Sequence, residues 1–265
     1  MIADLTIRTY GAPDAQPVIV LHGGPAAPGP MAPIARELAD EHFVIEPFQR
    51  GSGEVPLTVR THLDDLHAII EAMTSTPPVL VGSSWGAMLA LAFAADRPDA
   101  SRSVAAIGCG TFDVESRARM VERIAERSSA EVLEARRRAD AIEDPDDRLA
   151  ALGAAIFPIY ATDPITDDLE EERCDARAHR ETWSDMIRRQ EEGEYPAAFG
   201  AITAPVILLH GDDDPHPGAM IRDSLLPHIP HLEYHAWARC GHYPWIERSA
   251  RSSFFDSLRE FIRRT

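Results

Sequence analysis

Six short apolar runs divide this chain, and each stops at Gly, Asp or His. They are QPVIVLHGG (16–24), HFVIEPFQRGSG (42–53), PVLVG (78–82), SVAAIGCG (103–110), PVILLHGDDD (205–214) and LEYHAWARCGH (232–242). Continuous rather than alternating hydrophobicity suits strands covered on both faces, as in a parallel sheet. Between the runs lie stretches of helical composition: MAPIARELADE (31–41), TVRTHLDDLHAIIEAM (58–73), WGAMLALAFAAD (85–96) and SSFFDSLREFIRR (252–264). Strand alternating with helix predicts an α/β fold with a mostly parallel central sheet flanked by helices.

One region breaks the alternation. Residues 112–197 contain no convincing strand and hold 23 of the 43 acids and 13 of the 26 basic residues. Their Arg/Glu-rich patterns with spaced Ile, Leu and Val predict helices, interrupted at Pro145, Pro158 and Pro164. This reads as a helical cap inserted between core strands. The core is then 1–111 with 198–265, and the cap is 112–197.

Composition excludes several classes. The formal net charge of −17 is wrong for gripping a phosphate backbone, so no nucleic-acid partner is expected. Every basic residue is arginine. Without lysine there is no internal Schiff base for pyridoxal phosphate and no P-loop lysine. Cys109, Cys174 and Cys240 are too few and too far apart for a zinc ribbon or a disulfide framework. The opening residues MIADLTIRTYG show no basic-then-apolar targeting pattern. The longest apolar run, GAMLALAFAA (86–95), is far short of the ~20 residues that span a bilayer. A cytoplasmic location with no membrane partner is expected.

Ligands of open parallel sheets bind beyond the carboxyl ends of the strands, so the residues there carry the functional reading. Ser84 centres the G-x-S-x-G pentapeptide Gly82-Ser83-Ser84-Trp85-Gly86, where a strand turns directly into a helix. Small residues two before and two after the serine let strand and helix pass each other. The hydroxyl is then held out at a helix N-terminus. Ser83 does not fit, because Val81 stands two before it. A serine needs a base. His242, in a Gly-His after the last strand, is the candidate, with His22, His210 and His216 as competitors near strand ends. The acid that orients the imidazole is assigned to Asp214 of GDDDP, and Asp113 after the preceding strand is the alternative. Three aspartates in a row leave two for solvent. A metal site built from them and His216 matches no ligand spacing. Donors to a developing oxyanion are expected from the backbone N–H groups of Trp85 and Gly24.

The order Ser84, Asp214, His242 is that of the α/β-hydrolase fold. With HGGP (22–25), QRGSG (49–53), GSSWG (82–86), GDDD (211–214) and GHYPWIE (241–247), the sequence resembles the proline iminopeptidase-like branch of the α/β-hydrolase superfamily. The resemblance covers the core on both sides of the cap. It departs at Ala26, where those enzymes have Gly, and at Phe48, where they have Asp. It also implies cap glutamates that hold the substrate's free amine. Here the cap is acid-rich at RQEEGEYP (189–196), but no single glutamate matches that role. The expected function is a cofactor-free, metal-free serine hydrolase acting through an acyl-enzyme on small ester or amide substrates. A proline iminopeptidase-type aminopeptidase with short-peptide substrates is the alternative, and a non-catalytic ligand-binding receptor on the same fold is the alternative of another class.

Overall fold

The computed structural model describes residues 5–27, 31–165 and 173–265. Residues 1–4 of the core and 166–172 of the expected cap lie outside the described residues. In chain order the elements are β1 Ile7–Tyr10, β2 Pro17–Leu21, α1 Ala32–Leu38, β3 Phe43–Pro47, α2 Val59–Met73, β4 Val79–Ser83, α3 Trp85–Asp96, β5 Ser103–Ile107, α4 Val114–Arg127, α5 Ala130–Asp140, α6 Pro145–Tyr160, α7 Ala176–Glu191, β6 Val206–Gly211, α8 Gly218–Leu225, β7 Glu233–Trp237 and α9 Arg251–Arg264.

The seven strands form one sheet in the order β1-β3-β2-β4-β5-β6-β7. β1 runs antiparallel to β3, and every other pair is parallel. The period of two in a strand divides the core. Val18 and Val20 pack on one face with Ile34 and Leu38 of α1 and Phe254 and Leu258 of α9. Ile19 and Leu21 pack on the other with Leu63 and Leu66 of α2, most of α3, and Ile221 and Leu225 of α8. α3 is apolar all round and has ten of its twelve residues buried, as a helix enclosed on every side must be.

The strand order reverses between β2 and β4, whose neighbouring carboxyl ends therefore open a crevice. The loop after β2 carries Gly23 and Gly24, and the turn after β4 carries Ser84.

α4 to α7 follow one another between β5 and β6, with no strand among the described residues. Their starts are set locally. Asp113, Ser129, Asp144 and Asp175 each cap one of these helices by accepting backbone N–H bonds. Pro145 is the first residue of α6, a position that needs no N–H. Pro158 does not interrupt α6, which runs on to Tyr160. It stands in the last turn, where its missing N–H and ring disturb only one bond before the end. Pro164 bridges to Glu247 in an isolated antiparallel pair. Among the described residues no helix is long and apolar enough to cross a membrane.

Candidate active site

Ser84 has φ 54° and ψ −115°, a conformation side chains avoid, and it is the residue just before α3. The flanking glycines explain how it is held there. A Cβ on Gly82 would lie 2.2 Å from the carbonyl oxygen of Gly86, and a Cβ on Gly86 would lie 2.1 Å from that of Leu21. Strand and helix therefore cross at a separation that only glycine allows. The Ser84 N–H donates to Ile107 O at 2.8 Å, tying the turn to the end of β5. Ser83 is buried as the last residue of β4.

His242 approaches the same strand end. A Cβ on Gly108, the residue after Ile107, would lie 2.9 Å from Nδ1 and Cε1 of its ring. The His242 backbone N–H donates to Tyr160 O at the end of α6 at 2.7 Å, and the Tyr160 ring stands edge-on to the imidazole. Nδ1 of His242 donates to Oδ2 of Asp214 at 2.7 Å.

Asp214 is fully buried, Asp212 is exposed and Asp213 is half-buried. The turn is closed by Asp212 N–H to Trp237 O, Asp213 N–H to Cys240 O and Asp214 N–H to Gly211 O. Burial raises the proton affinity of the Asp214 carboxyl. The imidazoles of His242 and His216 outweigh that and hold it well below the usual carboxylate range. From α4, Arg123 donates to the carbonyl of Asp214 at 2.9 Å, and Arg127 donates to that of Asp213.

Asp113 is engaged elsewhere. It caps α4, accepting from the backbone N–H of Ser116 at 2.7 Å and from its hydroxyl at 2.6 Å. It also lines a cleft of about 350 Å³ with Phe112, Arg117, Gln190 and Tyr195, to which neither Ser84 nor His242 contributes.

The other histidines near strand ends take distinct parts. His22 is a brace. Its Nε2 accepts from Gln49 N–H at 3.0 Å, so the proton is on Nδ1, which donates to Gly23 O at 2.9 Å. Burial depresses its pKa to about 4, so the ring is neutral. Gln49 also donates to His22 O and accepts from the Trp85 indole at 2.6 Å. One amide thus joins the loops after β2 and β3 to the residue that follows Ser84. His210 is completely buried within β6. Its Nδ1 lies 3.5 Å from Asp214, and burial depresses its pKa to about 4. His216 donates through its backbone N–H and through Nδ1 to Oδ1 of Asp214, at 2.9 and 3.2 Å. Asp214, His216 and His242 each bring a ligand-type atom within 4.8 Å of the others. Both ring Nδ1 atoms face the carboxylate as hydrogen-bond donors, so the cluster is a proton-linked one.

Of the two glycines after His22, Gly23 lies over Ser84. A Cβ on Gly23 would fall 2.9 Å from Ser84 Cβ. Gly24 has φ 40°. Ala26, two residues on, is held at φ 60°, a left-handed conformation that costs alanine about 1 kcal/mol and glycine little. Its carbonyl accepts from Asp175 N–H, and the Pro25 carbonyl accepts from His179 Nδ1.

α7 grips the neighbouring loop with its acids. Asp175 accepts from Ser52 N–H at 2.7 Å, Glu181 from Leu57 N–H at 2.9 Å and Asp185 from Val59 N–H at 2.8 Å. Glu192 and Glu194 pair with Arg188 and Arg189. Sequence reasoning did not anticipate this use of the acids of α7, nor the Gln49 bridge. Both depend on contacts across 27 to 126 residues of chain.

A proline iminopeptidase from Lactobacillus delbrueckii subsp. lactis is 23% identical over 264 residues, covering 91% of this chain and 88% of that protein. Among solved structures, E-2-(acetamidomethylene)succinate hydrolase superposes with a TM-score of 0.66 at 20% identity, over 97% of this chain and 94% of that one. A thermophilic esterase from Thermogutta terrifontis superposes with a TM-score of 0.65 at 19% identity, over 98% and 93%. These likenesses extend over nearly the whole chain. The model of the Alpha/beta hydrolase family matches residues 18–252, from β2 into the start of α9, and the chain belongs to that family.

Proposed function

We propose that this hydrolase uses Ser84 as nucleophile, His242 as general base and acid, and Asp214 as the orienting carboxylate, on small ester or amide substrates. The observation that carries the reading is the 2.7 Å bond from His242 Nδ1 to the buried Asp214. That bond leaves Nε2 as the nitrogen able to take a proton, and it favours the imidazolium that forms. In this mechanism Ser84 Oγ attacks the carbonyl carbon as its proton passes to His242. The oxyanion is met by the backbone N–H groups of Gly24 and Trp85. His242 protonates the leaving group, and water activated by His242 then frees the acyl group. The chemistry calls on no cofactor.

An aminopeptidase reading draws support from the iminopeptidase relative. Against it, Asp175, Glu181 and Asp185 are committed to backbone N–H groups, and Glu192 and Glu194 to arginines. An ester or amide without a free amine is therefore favoured.

The test compares wild type with Ser84→Ala on p-nitrophenyl butyrate and prolyl-p-nitroanilide. Ester turnover that falls by about 10³-fold or more in Ser84→Ala is expected, with little anilide turnover in either. Efficient anilide turnover would instead favour the aminopeptidase. Ester turnover unchanged in Ser84→Ala would exclude the serine mechanism.

A further inference from the structure

Asp214 serves two imidazoles. Oδ2 accepts from His242 Nδ1 at 2.7 Å, and Oδ1 accepts from His216 Nδ1 at 3.2 Å. The rings stack with centroids 4.8 Å apart and planes 26° from parallel. A base oriented by a carboxylate needs one such bond, and the second ring is unexplained by the mechanism above. His216 is 8% exposed, so it is a built part of the site.

We propose that His216 is a positioning residue for His242: by holding one oxygen of Asp214 it divides the carboxylate between two rings and limits how readily His242 takes a proton. The inference rests on the reading of His242 as the base. Two effects act in the same direction. The His216 N–H draws off charge that would otherwise favour the His242 imidazolium. Two stacked imidazoles also resist both being protonated, because like charges at this separation repel through a buried medium.

β6 brings His210, which is neutral, and α6 brings Tyr160, whose phenol burial pushes up. The loop after β5 brings Cys109, whose thiol burial also pushes up. The loop after β7 brings Tyr243, edge-on to His242. α4 brings Arg123 and Arg127, both spent on turn carbonyls, and Asp213 lies beside Arg127. Among the described residues, His216 and His242 are the two whose side chains hydrogen-bond the Asp214 carboxylate, and Arg123 reaches only its backbone carbonyl.

The experiment compares wild type, His216→Phe and His216→Asn. Phenylalanine keeps a stacked ring without the donor. Asparagine places Nδ2 where His216 has Nδ1, so it keeps the donor without the ring. The acidic limb of kcat/KM against pH is expected to move up by about half a unit or more in His216→Phe, and to return most of the way in His216→Asn. An unmoved limb in His216→Phe, or equal movement in both variants, would overturn the proposal. A second readout needs no turnover: the far-downfield proton NMR signals of Nδ1–H groups bonded to carboxylate. Wild type should show two. His216→Phe should show one, displaced further downfield, and an unchanged surviving signal would count against the sharing. Failure of the serine mechanism would appear separately, as activity retained in Ser84→Ala.

Discussion

Asp113 and Asp214 are the same side chain beyond neighbouring strands, and what each accepts sets them apart. Asp214 accepts from two imidazoles, whereas Asp113 accepts from the N–H and hydroxyl of Ser116. Asp214→Asn should therefore lower kcat by roughly 10³- to 10⁴-fold, because an amide cannot hold the imidazole in its working tautomer. Asp113→Asn should stay within about twofold, because Asn caps a helix as well as Asp does. Measuring kcat of both on one ester decides it, and near-wild-type activity in Asp214→Asn would overturn the assignment. Ser84, Asp214 and His242 stand out in the sequence as candidates because each sits at a strand end and the three occur in a telling order, and the structure joins two of them, His242 and Asp214, by a hydrogen bond. The share taken by His216 was not legible. It depends on a ring folding back over a two-residue step to the far oxygen of a carboxylate, and composition carries no trace of that.

At the scale of elements, the continuous apolar runs identified β2 to β7 closely, and WGAMLALAFAAD coincides with α3. β1 was missed because IRTY is half-exposed and antiparallel at the sheet edge, so it has no apolar run to announce it. α8 was missed because eight residues are barely two turns and follow a Pro-rich segment. The strand–helix crossing at Ser84 yields the sharpest prediction here. Gly86→Ala would drive a Cβ against the backbone oxygens of Leu21 and His22, which cannot retreat without opening the β2–β4 ladder. It should cost about 3 kcal/mol or more, or prevent folding outright. Gly153→Ala is the internal control. Gly153 is in α6 with nothing within 4 Å of its would-be Cβ, so alanine should stabilise by about 0.5–1 kcal/mol. Chemical denaturation of both variants would show opposite signs. A well-folded, fully stable Gly86→Ala would refute the close crossing.

For the whole molecule, three buried histidines set the response to acid. Burial holds His22, His62 and His210 neutral down to about pH 4, whereas an unfolded chain protonates them below about 6.5. Between those values the unfolded state binds more protons, so stability falls as pH falls, by up to ~1.4 kcal/mol per unit for each ring. Asp214 acts in the same direction over a lower window: its depressed pKa adds stability that is lost only as pH drops below the ordinary carboxylate range. The melting temperature should thus drop steeply from pH 6.5 to pH 4.5, and a flat profile there would show that the rings are not held neutral. The segment that follows α6 is tied to the loop that follows β7. The buried Glu247 carboxylate accepts N–H groups from Gly241, Thr162 and Asp163 at once, while Ile165 N–H reaches Ile246 O and Arg248 N–H reaches Asp163 O. The strip 160–165 is thereby laced to the His242 loop although it leaves the last turn of α6. A foreign helical segment grafted onto this scaffold should join beyond residue 165, with 160–165 kept as host. A seam placed at the end of α6 would sever the lacing and unseat the loop that carries His242.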